Sequence, residues 1–367
     1  MSKVFISLIF LLLASVPAHA AESCDTWAHW EDFARFHIQA DGRVIDYTEE
    51  AATTSEGQAY AMFFSLLAKD KNRFDRILKW TSDNLSKGEL HKNLPAWKWG
   101  KSADGTWKVL DDNAASDADI WIAYSLFQAS VLWNEKAYFD TALAVLKNIS
   151  AQEVVSLPGS GSMVIPAPYG YALDPATWRL NPSYVPIQLM RYFATVDPSG
   201  PWEEIIKNTY KMTSAGSKKG MVPDWILHSA SKGFYFDAQK GKYTSYEAIR
   251  VYLWWAMLNK NDPYFALLKK RISGSEHFSP SNLYLPERVD IVSGDEEGSA
   301  PLGFGAVIAA YRYVVYAHKD AMRPQLLQSS GYYNHVLSMF SYAWLDNRFE
   351  FNLDGSLLVG TKSCPQQ

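Results

Sequence analysis

Cysteine is nearly absent from this 367-residue chain: there are two, Cys24 and Cys364, and their spacing matches no metal-ligand motif. Its eight histidines are scattered, and none forms His-x-x-x-His beside a carboxylate. Little therefore supports metal catalysis, and no metal or cofactor is expected. Basic runs stop at two or three residues and the net charge is −4, which excludes a phosphate-backbone footprint and with it nucleic acid. No Gly-x-Ser-x-Gly elbow is present. Gly159-Ser160-Gly161-Ser162 lacks the lysine of a phosphate loop and reads as a turn. Gly294-Asp295-Glu296-Glu297-Gly298 reads as a solvated acidic loop rather than a calcium site. No linker, low-complexity run or 34–45-residue repeat breaks the chain, which weighs against an α-solenoid.

One apolar run is present, at the start. Lys3 precedes a nearly all-apolar stretch from Val4 to Ala14, and Ala18-His19-Ala20 is a small-x-small cleavage site. This is the pattern of a secretory signal peptide over residues 1–20, too short for a membrane anchor. Its removal takes away one lysine and no acid, moving the charge from −4 to −5. The mature chain is expected in the periplasm or outside the cell, without an anchor. In that oxidising setting Cys24 and Cys364 are candidates for a disulfide joining the two ends, with a chain-entropy gain of ~5 kcal/mol before strain.

Hydrophobic residues make up 48% of the chain, enough for a large core. Residues 21–367 are expected to form one domain. Helical periodicity recurs over Cys24–His37, Glu56–Ala68, Arg73–Leu85, Asp117–Trp133, Lys136–Glu153, Pro182–Val196, Trp202–Thr213, Ser245–Leu258, Pro263–Ser273, Ala300–His318, Ala321–Leu327 and Tyr332–Leu345. Short strands are expected at Val154–Leu157, Ser162–Pro166, Val222–Leu227, Gly233–Phe236 and Phe349–Leu353. About twelve helices without a break suggest six α-hairpins. Arranged in a ring they make an all-α (α/α)6 barrel, whose inner helices are apolar all round and whose loops at one end form a cleft.

Three helix starts carry acids: Glu56 after Ser55, Asp117 and Asp119 after Ser116, and Glu247 after Ser245. Each has a structural explanation. Serine caps a helix, a first-turn carboxylate gains ~0.3–1 kcal/mol from the dipole, and Ser116 with Asp119 resembles a capping box. Their recurrence suggests a different role. Alternate helix starts in a ring of hairpins share one end, so the carboxylates can converge. Paired carboxylates are what glycoside hydrolysis requires. Aromatics make up 14% of the chain, including 14 Trp and 21 Tyr. Their rings suit either a large core or a sugar-stacking surface.

Ala115-Ser116-Asp117-Ala118-Asp119, with Ile122-Ala123, Ser125-Leu126, Ala129 and Trp133, resembles the signature of glycoside hydrolase family 8. Thr54-Ser55-Glu56-Gly57-Gln58-Ala59-Tyr60 resembles that family's general-acid segment. Asn181-Pro182-Ser183-Tyr184 and Tyr246-Glu247-Ala248-Ile249-Arg250-Val251 resemble two further segments, in the family's order. The leader, the length and Leu94-Pro95-Ala96-Trp97-Lys98-Trp99-Gly100 are similar to the branch of periplasmic endoglucanases that accompany bacterial cellulose synthase.

The resemblance implies an (α/α)6 barrel that cleaves β-1,4-glucan with inversion at the anomeric carbon. It implies Glu56 as proton donor, Asp117 as the residue that positions the sugar, and a base at 247 supported by Tyr184 and Arg250. Without it, Tyr184 is equally a core residue and Arg250 a partner in an intrahelical salt bridge. Position 247 departs from the pattern, because the similar family members carry Asp there. The longer side chain can reach the water by folding back, can crowd it, or can leave the role to another acid. An inverting pair needs ~6.5–9.5 Å between its carboxyls. Glu56 also carries a tension: a helix start favours its anion, and a general acid must hold its proton, so a like charge or desolvation has to compensate. Sugar-stacking candidates are Trp97, Trp99, Trp107, Tyr169, Trp178 and Trp225, with Trp99 and Trp178 first. A partner in the cellulose synthase or export complex is expected alongside the glucan. The alternatives are the same fold acting on xylan, chitosan or mixed-linkage β-glucan, and a catalytically weakened glucan-binding component of the export machinery.

Overall fold

The computed structural model of the chain describes residues 27–319 and 323–360. The leader, Cys24 and Cys364 lie outside the described residues. Among those described, no helix is long and apolar enough to cross a membrane.

Eleven α-helices are present among the described residues: α1 (Ala28–His37), α2 (Ser55–Leu67), α3 (Lys71–Leu85), α4 (Ser116–Leu132), α5 (Lys136–Gln152), α6 (Ile187–Val196), α7 (Trp202–Gly216), α8 (Ile249–Met257), α9 (Pro263–Ile272), α10 (Leu302–Tyr316) and α11 (Tyr332–Leu345). Six of them, α2, α4, α6, α8, α10 and α11, form the inner ring, and the remaining five pack outside as hairpin partners. The burial of the inner helices sets them apart. Every residue of α8 is buried, and so is every residue of α2 except Glu56. Phe340 of α11 closes the ring across the axis, with its ring 5.2 Å from those of Tyr60, Trp121 and Trp254 and 4.7 Å from that of Phe64. Truncating such a side chain to alanine costs about 3–5 kcal/mol. The hairpins turn tightly. Lys69 ends α2 with φ 55°, and the Asp70 side chain caps α3 by accepting the Arg73 N–H at 3.0 Å.

Three antiparallel sheets sit where inner helices begin. Thr53–Thr54 pairs with Lys98–Lys101 and leads into α2. Thr177–Leu180 pairs with Ile226–Ser229 and leads towards α6. Tyr243–Thr244 pairs with Pro286–Asp290 and leads towards α8. The strands therefore fix the entry of three inner helices at one end of the ring.

The helices depart from expectation in several places. Residues 323–327 are not helical, so the outer helix expected over Ala321–Leu327 is missing from its described part. The segment from Pro182 splits into a 3-10 turn, Pro182–Tyr184, and α6, because Pro186 offers no N–H and keeps Val185 out of the helical region, at φ −124° and ψ 77°. Helix α8 starts at Ile249 rather than Ser245, which leaves Glu247 in a turn. The caps differ too. Thr54, not Ser55, accepts the Gly57 N–H, at 3.0 Å. Ala115 is the N-cap of α4 and has no side-chain bond, so Ser116 is no cap. Asp119 makes no capping box, since its side chain turns to Glu153 instead.

Candidate active site

The first turns of α2 and α4 and the turn before α8 meet at one guanidinium. Arg250, buried in the first turn of α8, donates from Nη1 to Glu56 Oε2 at 2.5 Å and to Asp117 Oδ2 at 2.9 Å. Its Nη2 donates to Glu247 Oε2. Nη1 also reaches the Tyr60 hydroxyl at 3.3 Å, and the ring of Tyr184 lies 5.5 Å from the guanidinium carbon. The five catalytic candidates of the sequence are thus brought together, with Tyr60 added. Tyr60 lies one helical turn after Glu56, so the four-residue spacing was a usable signal.

Exposure divides the three acids. Glu56 and Glu247 keep 22% and 28% of their side chains open, whereas Asp117 keeps 5%. Burial, with the negative neighbours Asp117 and Glu247 adding to it and Arg250 opposing, pushes Glu56 up to about 8. The helix dipole that should favour the Glu56 anion is outweighed by desolvation. Burial also raises Asp117, with Arg250 pulling the other way. The result is an acid that holds its proton at neutral pH beside a cation that favours ionised partners.

Behind Asp117 lies a second acidic pair. Asp119 points away from the cleft to Glu153, the residue that ends α5. Both are fully buried, and none of their four oxygens meets an N–H, a hydroxyl or a cation. Each carboxyl acts on the other, and no opposite charge offsets their burial. Burial raises both well above the ordinary carboxylate range. The hairpin Val154–Leu157 and Gly161–Val164 then returns the chain, so that Ile165 donates to the Glu153 carbonyl at 2.8 Å and Ser116 to the Pro166 carbonyl at 3.0 Å.

Aromatic rings flank the acids on two sides. On the α2 side Trp99 stacks on Trp107 with centroids 5.2 Å apart, and Arg43 covers both rings at 4.4 and 4.6 Å. Trp99 pairs with Thr53, close to Glu56 in the chain. Trp97 contributes its carbonyl, which accepts the Ser55 N–H at 3.0 Å, and its half-buried ring lies against Lys98. On the other side Trp225 stacks on Tyr171 at 5.7 Å and adjoins Tyr184 at 6.3 Å. Trp178 lies one strand away, packed on the core and against His228. Tyr169 is exposed and donates its hydroxyl to Asp112 at 2.8 Å. Trp225 therefore adjoins the acids through Tyr184, and Trp178 and Tyr169 make no ring contact with them. Tyr171 and Arg43 escaped the sequence reading, because each is placed by a partner far away in the chain.

The model of "Glycosyl hydrolases family 8" matches residues 3–347. A protein named endoglucanase from Salmonella typhi is 40% identical over 354 residues, covering 95% of this chain and 94% of its own. Another from Xanthomonas axonopodis pv. citri is 39% identical over 365 residues, covering 96% and 94%. The crystal structure of an endo-1,4-D-glucanase from Vibrio fischeri superposes with a TM-score of 0.83 at 35% identity, over 91% of this chain and 99% of that one.

Proposed function

The chain belongs to glycosyl hydrolase family 8, and we propose that it is an endo-acting β-1,4-glucanase that inverts the anomeric carbon. The observation that carries this reading is the meeting of Glu56, Asp117 and Glu247 on Arg250, with burial pushing Glu56 up to about 8. The names of the relatives support a glucan substrate, and the flanking Trp99–Trp107 and Tyr171–Trp225 stacks suit flat sugar rings.

In the proposed reaction Glu56 gives its proton to the glycosidic oxygen as the bond to the anomeric carbon breaks. Its Oε2 accepts from Arg250, which leaves Oε1 for the proton. Water attacks from the opposite face and loses a proton to Glu247, beside Tyr184. Asp117 holds the sugar next to the scissile bond. Arg250 balances the charge of Asp117 and Glu247, so that burial need not neutralise every acid at once. Afterwards Glu247 releases its proton to solvent and Glu56 takes one up.

The leader and the Leu94–Gly100 segment support work outside the cytoplasm beside a bacterial cellulose-synthesis machine. Reducing-sugar release from carboxymethylcellulose, against a Glu56→Gln control, tests the activity. Cello-oligosaccharide products followed by NMR are expected to appear first as the α-anomer. An initial β-anomer overturns inversion. Release from xylan or chitosan but not from cellulose derivatives overturns the substrate.

A further inference from the structure

Asp224 takes no part in the reaction above, yet its carboxylate is spent entirely on the turn that carries Glu247. Oδ1 accepts the backbone N–H groups of Ser245 and Ala248, each at 2.9 Å, and Oδ2 accepts the Ser245 hydroxyl. One buried side chain thus straps both ends of the four-residue segment 245–248. Its own backbone is fixed as well, with the Asp224 N–H donating to the Tyr243 carbonyl at 2.8 Å. Two residues earlier, the Val222 N–H donates to the Tyr252 hydroxyl of α8 at 2.8 Å. From the opposite side the Tyr333 hydroxyl donates to the Tyr246 carbonyl at 2.5 Å. The Ile249 N–H donates to the Ser245 carbonyl at 2.9 Å, so α8 opens directly out of the strapped turn, and Asp224 satisfies two of the N–H groups that a helix start leaves unpaired. The next residue along the chain is Trp225, so the same segment carries a ring beside the acids and the anchor of the turn.

We propose that Asp224 is a positioning residue for hydrolysis, aiming Glu247 by the geometry of these three bonds and not by moving a proton. The proposal rests on the reading of Glu247 as the base. Nothing else on the segment satisfies the Ser245 and Ala248 N–H groups. Without the carboxylate the turn must open to water, and Glu247 is then held only through Arg250. A displacement of about 1 Å in a reacting group is enough to cost about 100-fold in rate. Asparagine can keep the strap. Its carbonyl oxygen replaces Oδ1 for both N–H groups, and its amide can donate to the Ser245 hydroxyl oxygen.

The test measures kcat and KM on a defined cello-oligosaccharide for Asp224→Ala, Asp224→Asn, Ser245→Ala, Glu247→Gln and the double variant Asp224→Ala/Glu247→Gln. Asp224→Ala is expected to lower kcat about 100-fold with KM within about twofold, and Asp224→Asn to stay within about fivefold of the parent. The double variant is expected to be no slower than Glu247→Gln alone, because the strap acts only through Glu247. Equal losses in the alanine and asparagine variants, a loss carried by KM, or multiplying losses in the double variant would each overturn the proposal. If Asp224→Ala fails to fold by circular dichroism, Ser245→Ala decides: it removes one strand of the strap and should lower kcat about threefold at constant KM. An unchanged kcat there also overturns the proposal. A Glu247→Gln enzyme at the parental rate sinks the base assignment itself, a result read independently of Asp224.

Discussion

Glu56 and Asp117 stand on helices, and Glu247 stands on a strap. The first two occupy opening turns of helices sunk in the core, where α2 leaves Glu56 as its one residue not buried. Their backbones are fixed by the intrahelical ladder and by ring packing around Phe340. Glu247 lies in a turn whose shape depends on Asp224 and Tyr333. The contrast teaches that one site can hold two of its carboxylates through helices sunk in the core and the third through side-chain hydrogen bonds to a turn.

The largest effect that sharpens the contrast is expected at the rigid side. Glu56→Gln should lower kcat by about 10³–10⁴-fold while preserving the fold, measured as turnover beside an unchanged circular dichroism spectrum. Next comes the strapped side. Glu247→Gln should lose about 10²–10³-fold, whereas Glu247→Asp, which only withdraws the carboxyl from Arg250, should lose about tenfold. Equal losses for Gln and Asp would show that position 247 is as rigidly specified as position 56 and would break the comparison.

A smaller effect follows from pH. Glu56 is competent while protonated, so turnover should decline as pH rises through about 8, and this alkaline limb should disappear in Glu56→Gln. The same shift has a stability consequence. The folded state holds this proton more tightly than the unfolded chain, from 4.5 up to about 8, so rising pH through that window favours unfolding. Glu56→Gln should therefore melt higher than the parent at pH 8, and the gap should close near pH 4. The smallest effect is expected at the platform farther from Glu247. Trp107→Ala should raise KM about threefold with little change in kcat, because it removes ring area outside the reacting centre.

Much of the ring was legible because inner helices need apolar residues on every side, and α2, α4 and α8 display them. The convergence of the acids was legible because Glu56 and Asp117 open such helices, Glu247 stands in the turn just before a third, and each sits in a familiar segment. The caps were misread where one chain offered two candidates. Thr54 and Ser55 both carry a hydroxyl, and only the extended strand pairing with Lys98–Lys101 decides which one stands outside the helix. Asp224 left no local signal, because the turn it holds lies 21 residues onward. Glu153 left none either, since its partner Asp119 opens α4, on the other arm of the same helical hairpin and far away in the chain. The strands at Lys98–Lys101 and Trp107–Asp111 escaped because their charged, half-exposed residues show no clean alternation.

The pair Asp119–Glu153 makes folding a chemical event in the surrounding solution. In the unfolded chain both carboxyls are ionised at neutral pH. In the folded protein burial raises both well above the ordinary carboxylate range, which favours their protonated forms at neutral pH. Each molecule that folds in neutral water therefore withdraws acid from it. A weakly buffered refolding mixture should drift alkaline as the native structure forms.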